Sequence, residues 1–508
     1  MKFITCIVFA LTTTSFAQHP QDLVSPDALA VLSIKDAGAI QSSLKAISST
    51  QGGVPVDDLL SQFIKNPSAI DYSKGVLLSI EPGVIAEGQR PAGMLGAMPH
   101  LVVICKPKQG KTIQLNSFSG VNTSTMLDGW FIAAGGNSWS PPEGGKISPI
   151  FAQLPDSQVS LHVLFGKLWS QIGPITQMAG GMMIGQLNKP GPTGMIDPEQ
   201  RKQTAAISQA FRKVMQFCAG VDTISAGASL NGGSLGMDFM IAQKNPSPLD
   251  VDNSSMLDMS TSMKGGALQY AMSGEFTKML LDYQLSSMGN NLTEFPMIAI
   301  TDGMRELADL QGDNVVMYDL DAEDGLTIFA LAETSDATAY LSKVNSMMDN
   351  MTQQFADEFQ MKLTPTDEPT TWKVDMIGDD AEDLKVMNAV VPADTIISFG
   401  ELGGWVGFVF GSRKVLPSVE TKGGTNLSRL ISAHEDVSIE FAMSMDARKF
   451  ASAFMAIAEA AGTDDGSKTI ASGPSAITEA VLGTDETGFK LTIKMDLAGL
   501  SKLVKEMD

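Results

Sequence analysis

The sequence predicts an α+β protein of two related halves, each an antiparallel or mixed sheet with helices packed on one face. Three observations predict it. A short phrase recurs: an alternating strand, a polar break, then an amphipathic helix. Its clearest copy is Leu268–Leu285 (LQYAMSGEFTKMLLDYQL). Leu268, Tyr270 and Met272 alternate with polar or small residues, which is the period of a half-buried strand. After Gly274-Glu275, Phe276, Leu280 and Tyr283 recur at helical spacing. The second observation is Asn245–Ser255 (NPSPLDVDNSS), where proline, Asn, Asp and Ser crowd into a linker. The third is size: 508 residues exceed a single typical domain, and a hydrophobic fraction of 44% fills more than one core.

In chain order, the first residues read as an export signal. Lys2 supplies the positive start, Phe3–Leu11 the apolar core, and Ser15-Phe16-Ala17 a small-x-small cleavage site. Residues 1–17 are the expected leader, with cleavage after Ala17. The first half is expected over 18–245, the linker over 246–255 and the second half over 256–508. The phrase fills Leu29–Ile47, with Ile40, Leu44 and Ile47 on its helix. Val76–Ile80 (VLLSI) and Leu101–Cys105 (LVVIC) are short apolar strands, and Trp130–Ala134 is a hairpin arm after Asp128-Gly129. The phrase returns at Val159. Leu168–Asn188 carries no charge and is expected as an uncharged helix and loop buried in the fold. Gln200–Cys218 is a helix with Ala206, Ala210, Val214 and Phe217 on one face. Thr223–Leu230 and Leu235–Ala242 flank Asn231-Gly232-Gly233, a hairpin turn.

After the linker the order restarts with the phrase at 268 and strands at Val315–Leu320 and Leu326–Ala332. A long helix at Asp336–Gln360, a loop at Thr364–Thr371 and strands at Trp372–Met376, Thr395–Phe399 and Trp405–Phe410 follow. The phrase closes the chain at Val437–Ile457 and Phe489–Met507. Trp130-Phe131-Ile132 corresponds to Trp405-Val406-Gly407, and Tyr270-Ala271-Met272-Ser273 nearly repeats as Phe441-Ala442-Met443-Ser444. Such recurrence suggests internal duplication.

The formal charge is −22, and it becomes −23 once the leader and its Lys2 are removed. Such a surface repels nucleic acid and anionic lipid headgroups, so no nucleic-acid partner is expected. Aromatic residues make up 6%, too few for a stacking platform. No stretch after the leader reads as an integral membrane span. Cys105 and Cys218 remain after the leader; a disulfide and two buried thiols both fit.

No motif carries chemistry. Gln109-Gly110-Lys111-Thr112 resembles the end of a phosphate loop, but Cys105 stands where the first glycine is needed. Asp319–Gly325 begins like a calcium loop, with Asp324 at the glycine position and Ala330 at the final glutamate position. Asp379–Asp383 is a second acidic run. The four histidines have no metal-ligand spacing. His162 alternates with Leu161 and Val163, and either solvent or a satisfied polar neighbour is expected beside it. His434 adjoins Glu435. Thr223-Ile224-Ser225-Ala226-Gly227 misses the nucleophile-elbow pattern at its first glycine. Ser42-Ser43-Leu44-Lys45 fits SxxK without its companion motifs.

The start Pro26-Asp27-Ala28-Leu29-Ala30-Val31, the echo Pro392-Ala393-Asp394-Thr395 and the tandem strand–helix order carry a resemblance. The chain resembles a family of exported bacterial proteins of unknown function, common in planctomycete-type genomes, which often begin with Pro-Ala-Asp-Thr. Ala28 departs from the family's usual Asp. The resemblance implies export and an envelope or extracellular setting, and no known reaction.

The expected function is therefore a non-catalytic exported protein that binds or scaffolds something in the periplasm or outside the cell. No catalytic, cofactor-binding or metal residue is assigned, and no cofactor is expected. The partner is another envelope protein or an apolar ligand. One alternative is a carrier of a lipid-like ligand, in a cleft between halves lined by Met178, Met182, Met183, Met279 and Met288. Another is a secreted hydrolase with dispersed residues, such as His434 with Glu435 or two converging carboxylates.

Overall fold

The computed structural model describes residues 19–35, 65–82, 100–114, 123–135, 147–187, 198–246, 251–263, 265–288, 297–321, 325–355, 361–377, 381–402, 404–412, 425–461 and 474–507. The chain divides into two compact units. One comprises residues 1–232 and 236–247, the other residues 233–235 and 248–508.

The elements of the first unit are β1 (Ala30–Ile34), β2 (Val76–Glu81), β3 (His100–Cys105), β4 (Thr123–Leu127), β5 (Trp130–Ala134), β6 (Val159–Val163), α1 (Phe165–Leu187), α2 (Pro198–Gly220), β7 (Val221–Asn231) and β8 (Ser234–Gln243). The described pairs are antiparallel and give the order β4-β5-β3-β2-β1-β6-β7. β4 and β5 meet at Asp128-Gly129, both with positive φ (49° and 79°), as a tight hairpin turn requires. β7 runs into β8 through Gly232 and Gly233, also at positive φ.

Near-continuous apolar runs in β2, β3 and β5 bury both faces of this sheet. Ile34, Val76, Val103, Cys105 and Phe131 pack with Ala69, Ile70 and Ile113. On the other face Val31, Leu77, Val102, Ile104 and Ile132 pack with Leu23, Val24 and Ile150. The covering on each side includes irregular segments, where helices on one face were expected. Each fully buried aliphatic or aromatic side chain stabilises by roughly 1.5–3 kcal/mol.

The second unit contains α3 (Ser254–Thr261), β9 (Leu268–Met272), α4 (Gly274–Met288), α5 (Met297–Leu310), β10 (Gln311–Asp321), β11 (Gly325–Thr334), α6 (Ala337–Phe355), β12 (Met361–Pro365), β13 (Thr371–Met376), α7 (Ala381–Val390), β14 (Thr395–Leu402), β15 (Trp405–Ser412), α8 (Asn426–Ser432), β16 (Ser438–Asp446), α9 (Ala447–Ala461), β17 (Ile477–Thr484), β18 (Gly488–Asp496) and α10 (Leu497–Met507). The order is β12-β13-β14-β15-β11-β10-β9-β16-β17-β18, again antiparallel.

Two cores flank this sheet. Val315 and Met317 of β10, Ala271 of β9 and Ala442 of β16 pack with Met256, Met259 and Met263 at α3 and with Leu427, Leu430 and Ile431 of α8. Leu307 of α5 and Tyr340, Val344 and Met348 of α6 pack with Leu363, Trp372, Val374 and Ile397. Helices therefore cover both faces, which corrects the one-face expectation.

The same point corrects the reading of β9. Leu268, Tyr270 and Met272 are half-buried, whereas Gln269 and Ala271 between them are 3% and 0% exposed. Small residues let α3 and α8 approach that face closely. The near-identical tetrapeptides lie side by side: Met272 pairs with Phe441 and Ala271 with Ala442. Tyr270 stacks on Tyr318, and Phe441 packs against Tyr270 and Phe276.

Two further expectations change. Asn253 of the expected linker binds β16 with its amide, donating Nδ2 to the Val437 carbonyl at 2.7 Å and accepting from Ile439 N–H at 3.0 Å. Ser254 and Ser255 then open α3. The uncharged Leu168–Leu187 stretch is not buried; in α1 the buried residues are Gly173 and Gly180. The helix expected over 40–47 lies outside the described residues. No described helix is long and apolar enough to cross a membrane.

Candidate functional site

Ser273 starts the site. It ends β9 and caps α4, its Oγ accepting from Phe276 N–H at 3.0 Å. Its hydroxyl donates to Glu440 of β16. Gly274 lets the helix start sit against β10: a Cβ there would lie 3.0–3.1 Å from the backbone of Gln311 and Gly312. This seating fixes α4 across the sheet. Thr277 in the first turn donates to the Ser273 carbonyl and accepts from the buried Asn314 amide, each at 2.9 Å.

Under α4, α5 and α6 lies a cavity of about 250 Å³. Leu280, Leu281, Met304, Leu307, Ala308 and Met347 give it apolar walls, and Thr277, Gln311 and Tyr340 its polar points. A second cavity of about 270 Å³ lies against the sheet, between Val316, Ala330, Phe399, Val406 and Phe408. Gln311 and Tyr340 line both. The Tyr340 hydroxyl points at Gln311 Oε1, 3.5 Å away, and burial raises its pKa above the usual phenol value. The site is therefore two apolar pockets that share one amide–phenol pair. It suits an apolar molecule with one hydrogen-bonding end.

Beside the chamber, Gly274 N–H donates to Asp313 Oδ1 at 3.3 Å. Burial pushes the Asp313 carboxyl up to about 6. The Gly274 bond opposes this, and Glu333, Asp252 and Glu440 reinforce it. Among the described residues no group of three or more His, Cys, Asp or Glu side chains is placed to hold a metal ion.

The residues whose types could carry chemistry take other roles in the fold. His162 and Ser225 are brought together, Nδ1 to Oγ at 2.7 Å, but they are 2% and 4% exposed inside the β6–β7 pair. Burial lowers the His162 pKa. A serine enclosed in a sheet offers no approach to a substrate, so the pair is a buried contact between strands, satisfied at Nδ1 while Nε2 is buried without a hydrogen-bond partner. His434 bonds through Nδ1 to the Leu430 carbonyl at 2.9 Å, closing the end of α8, while Glu435 is exposed. Asp319 pairs with Lys449 at 2.8 Å. Residues 322–324 and 378–380 lie outside the described residues, and Ala381–Asp383, the end of the second acidic run, begin α7.

Lys108–Lys111 form a turn with Gly110 at φ 72°, and 111–114 run on without strand pairing. Ser42–Lys45 lie outside the described residues. In the Pro392–Thr395 motif, Asp394 accepts from Ser412 Oγ at 2.8 Å and Thr395 is fully buried at the start of β14. Buried Glu81 accepts from Ser25 N–H and Ser79 Oγ, each at 3.1 Å, tying the segment before β1 to β2. Cys105 and Cys218 are free thiols, and burial pushes the Cys105 pKa up to about 12.

The Met288 side chain lies outside the described residues. Met178, Met182, Met183 and Met279 are 39–60% exposed, and none of them lines either cavity. The methionines that do are Met304 and Met347. A signal for α5 is present in the sequence, where Ile300, Met304 and Leu307 recur at helical spacing. Gln311, Asn314 and Tyr340 carried no signal, because a lone polar residue beside apolar ones has no motif.

No family model matches this chain, and no curated protein does. Two solved structures are similar to about half of it. The one titled "Structure of crystal form III of TP0453" is 10% identical, with a TM-score of 0.23, and the match covers 51% of this chain and 98% of that one. The one titled "Structure of crystal form I of TP0453" is also 10% identical, with a TM-score of 0.20, and covers 51% and 99%.

Proposed function

We propose that this is a non-catalytic exported binding protein whose second unit holds a small apolar ligand. The observation that carries the reading is the chamber beneath α4, α5 and α6, walled by Leu280, Leu281, Met304 and Leu307 with Gln311 and Tyr340 as polar lining. Filling it removes apolar surface from water, and the amide–phenol pair fixes one polar end of the ligand. A fatty acid or alcohol of modest length fits that description. The non-catalytic part draws support from the enclosed Ser225–His162 pair and from the backbone bond of His434.

The two units are read as copies of one module. The order β4-β5-β3-β2-β1-β6-β7 parallels β14-β15-β11-β10-β9-β16-β17, strand for strand. On that alignment Trp130 of β5 answers Trp405 of β15. The segment α6-β12-β13-α7 is an insertion in the second copy, and it brings Tyr340 and Met347 to the chamber. Ligand binding is then a property of the second copy. Export rests on the leader, and N-terminal sequencing of the secreted chain is expected to begin at Gln18.

Titration with the apolar fluorophore 1-N-phenylnaphthylamine tests the binding claim. One equivalent per chain is expected, with blue-shifted emission, displaced by a medium-chain fatty acid. Ala308→Phe, which places a ring in the chamber, is expected to weaken binding at least tenfold. Unchanged binding in that variant overturns the reading.

A further inference from the structure

α1 and α2 form a helical pair whose outer surfaces do not match a soluble, acidic protein. The two helices meet at Gly180, where a Cβ would lie 2.1 Å from the Phe211 ring. Around that contact both helices are largely exposed. On α1 the outward arc carries Met178, Met182 and Met183, which are 39%, 60% and 53% exposed, and no charged residue occurs from Leu168 to Leu187. On α2, Ile207, Val214 and Phe217 are 41%, 57% and 47% exposed. They lie at i, i+7 and i+10, one stripe of the helix. Ala210 and Val214 belong to the one apolar face that the sequence marks on this helix, and both are exposed.

The charges around these stripes are reversed relative to the rest of the chain. α1 and α2 together hold Lys167, Arg201, Lys202, Arg212 and Lys213 against one acidic residue, Glu199. The whole chain is −22. Arg201, Arg212 and Lys213 are exposed, and Arg212 Nε bonds back to the Ser208 carbonyl of its own helix. An apolar stripe bordered by cations is the pattern of a helix that lies in a membrane interface. An anionic surface attracts the basic pair, although the chain as a whole is acidic. A symmetric contact between two such pairs would instead set their cations against each other.

We propose that the α1–α2 pair docks this protein onto an anionic lipid surface, with Met178, Met182, Val214 and Phe217 entering the headgroup boundary and Arg201, Arg212 and Lys213 meeting lipid phosphates. The site is separate from the ligand chamber of the second unit, so each stands or falls alone.

Co-sedimentation of the full chain with vesicles decides it. Vesicles of phosphatidylglycerol and phosphatidylcholine are expected to pellet the protein, pure phosphatidylcholine much less, and high salt is expected to release it. Replacing Arg201, Arg212 and Lys213 together by Gln lowers partitioning about a hundredfold, at about fivefold per charge. Met182→Ser with Val214→Ser lowers it at least tenfold. Far-UV circular dichroism of both variants should match the parent, and Ala308→Phe should bind vesicles like the parent. No preference for anionic vesicles, or equal binding by the Gln variant, overturns the proposal. So does a dimer in sedimentation velocity that Val214→Ser dissociates, since a second copy would then cover the stripe.

Discussion

Asp313→Asn gives the sharpest electrostatic test of how α4 is seated. Asp313 accepts from Gly274 N–H at the start of the helix, and burial holds its carboxyl at about 6 instead of 3.8. A carboxyl whose folded pKa is raised binds its proton more tightly folded than unfolded. Its contribution is fully present below pH 3.8 and is lost as pH rises through about 6. The full shift corresponds to about 3 kcal/mol. Asp313 is only half-buried, and solvent screening reduces the effect to ~1–2 kcal/mol. The Asn amide keeps an oxygen for Gly274 N–H and never ionises. The variant is therefore expected to be more stable than the parent by ~1–2 kcal/mol at pH 8, with the gain gone near pH 4. Urea unfolding at both pH values measures it, with Trp fluorescence read alongside circular dichroism because two units need not unfold together. A variant less stable at pH 8, or a gain equal at both pH values, refutes the reasoning.

Other outcomes follow from single contacts. Ser225→Ala leaves His162 Nδ1 without its 2.7 Å partner in a closed strand pair, and is expected to cost about 1–3 kcal/mol in urea unfolding. The same variant should leave any background ester hydrolysis unchanged; a loss of turnover would revive a hydrolase. Asn253→Ala removes two bonds to the β16 backbone and is expected to lower stability by about 1–3 kcal/mol, read as a lower urea midpoint. A neutral result there would mean that α3 is held by Met256 and Met259 alone.

The strand–break–helix phrase was legible because two periodicities meet at a polar break. Four of its five copies appear as β6–α1, β9–α4, β16–α9 and β18–α10, while only β1 of the first is described. Hairpin chemistry was equally readable at Asp128-Gly129 and Asn231-Gly232-Gly233. Face assignment was not. In β9 the apolar residues Leu268, Tyr270 and Met272 suggested the buried side, yet Ala271 and Gln269 are the more buried pair. Alternation reports which residues differ, and a sheet covered on both sides gives no polar face to compare with. The uncharged run at 168–187 misled for a related reason: low charge describes a surface that avoids water, and an exposed docking face has the same composition as a core. The chamber was illegible because Leu280, Met304, Gln311 and Tyr340 come from three helices and a strand. Only the fold brings them within reach of one ligand.

Crystals grown with a terminally brominated medium-chain fatty acid test the central claim most directly. Anomalous scattering locates the bromine without reference to any interpretation of the chamber. The account predicts one bromine site per chain between Leu280, Met304 and Met347, with the carboxyl within hydrogen-bond distance of Gln311 or Tyr340. Bromine found elsewhere with that space empty, or no ordered bromine at saturating ligand, contradicts it.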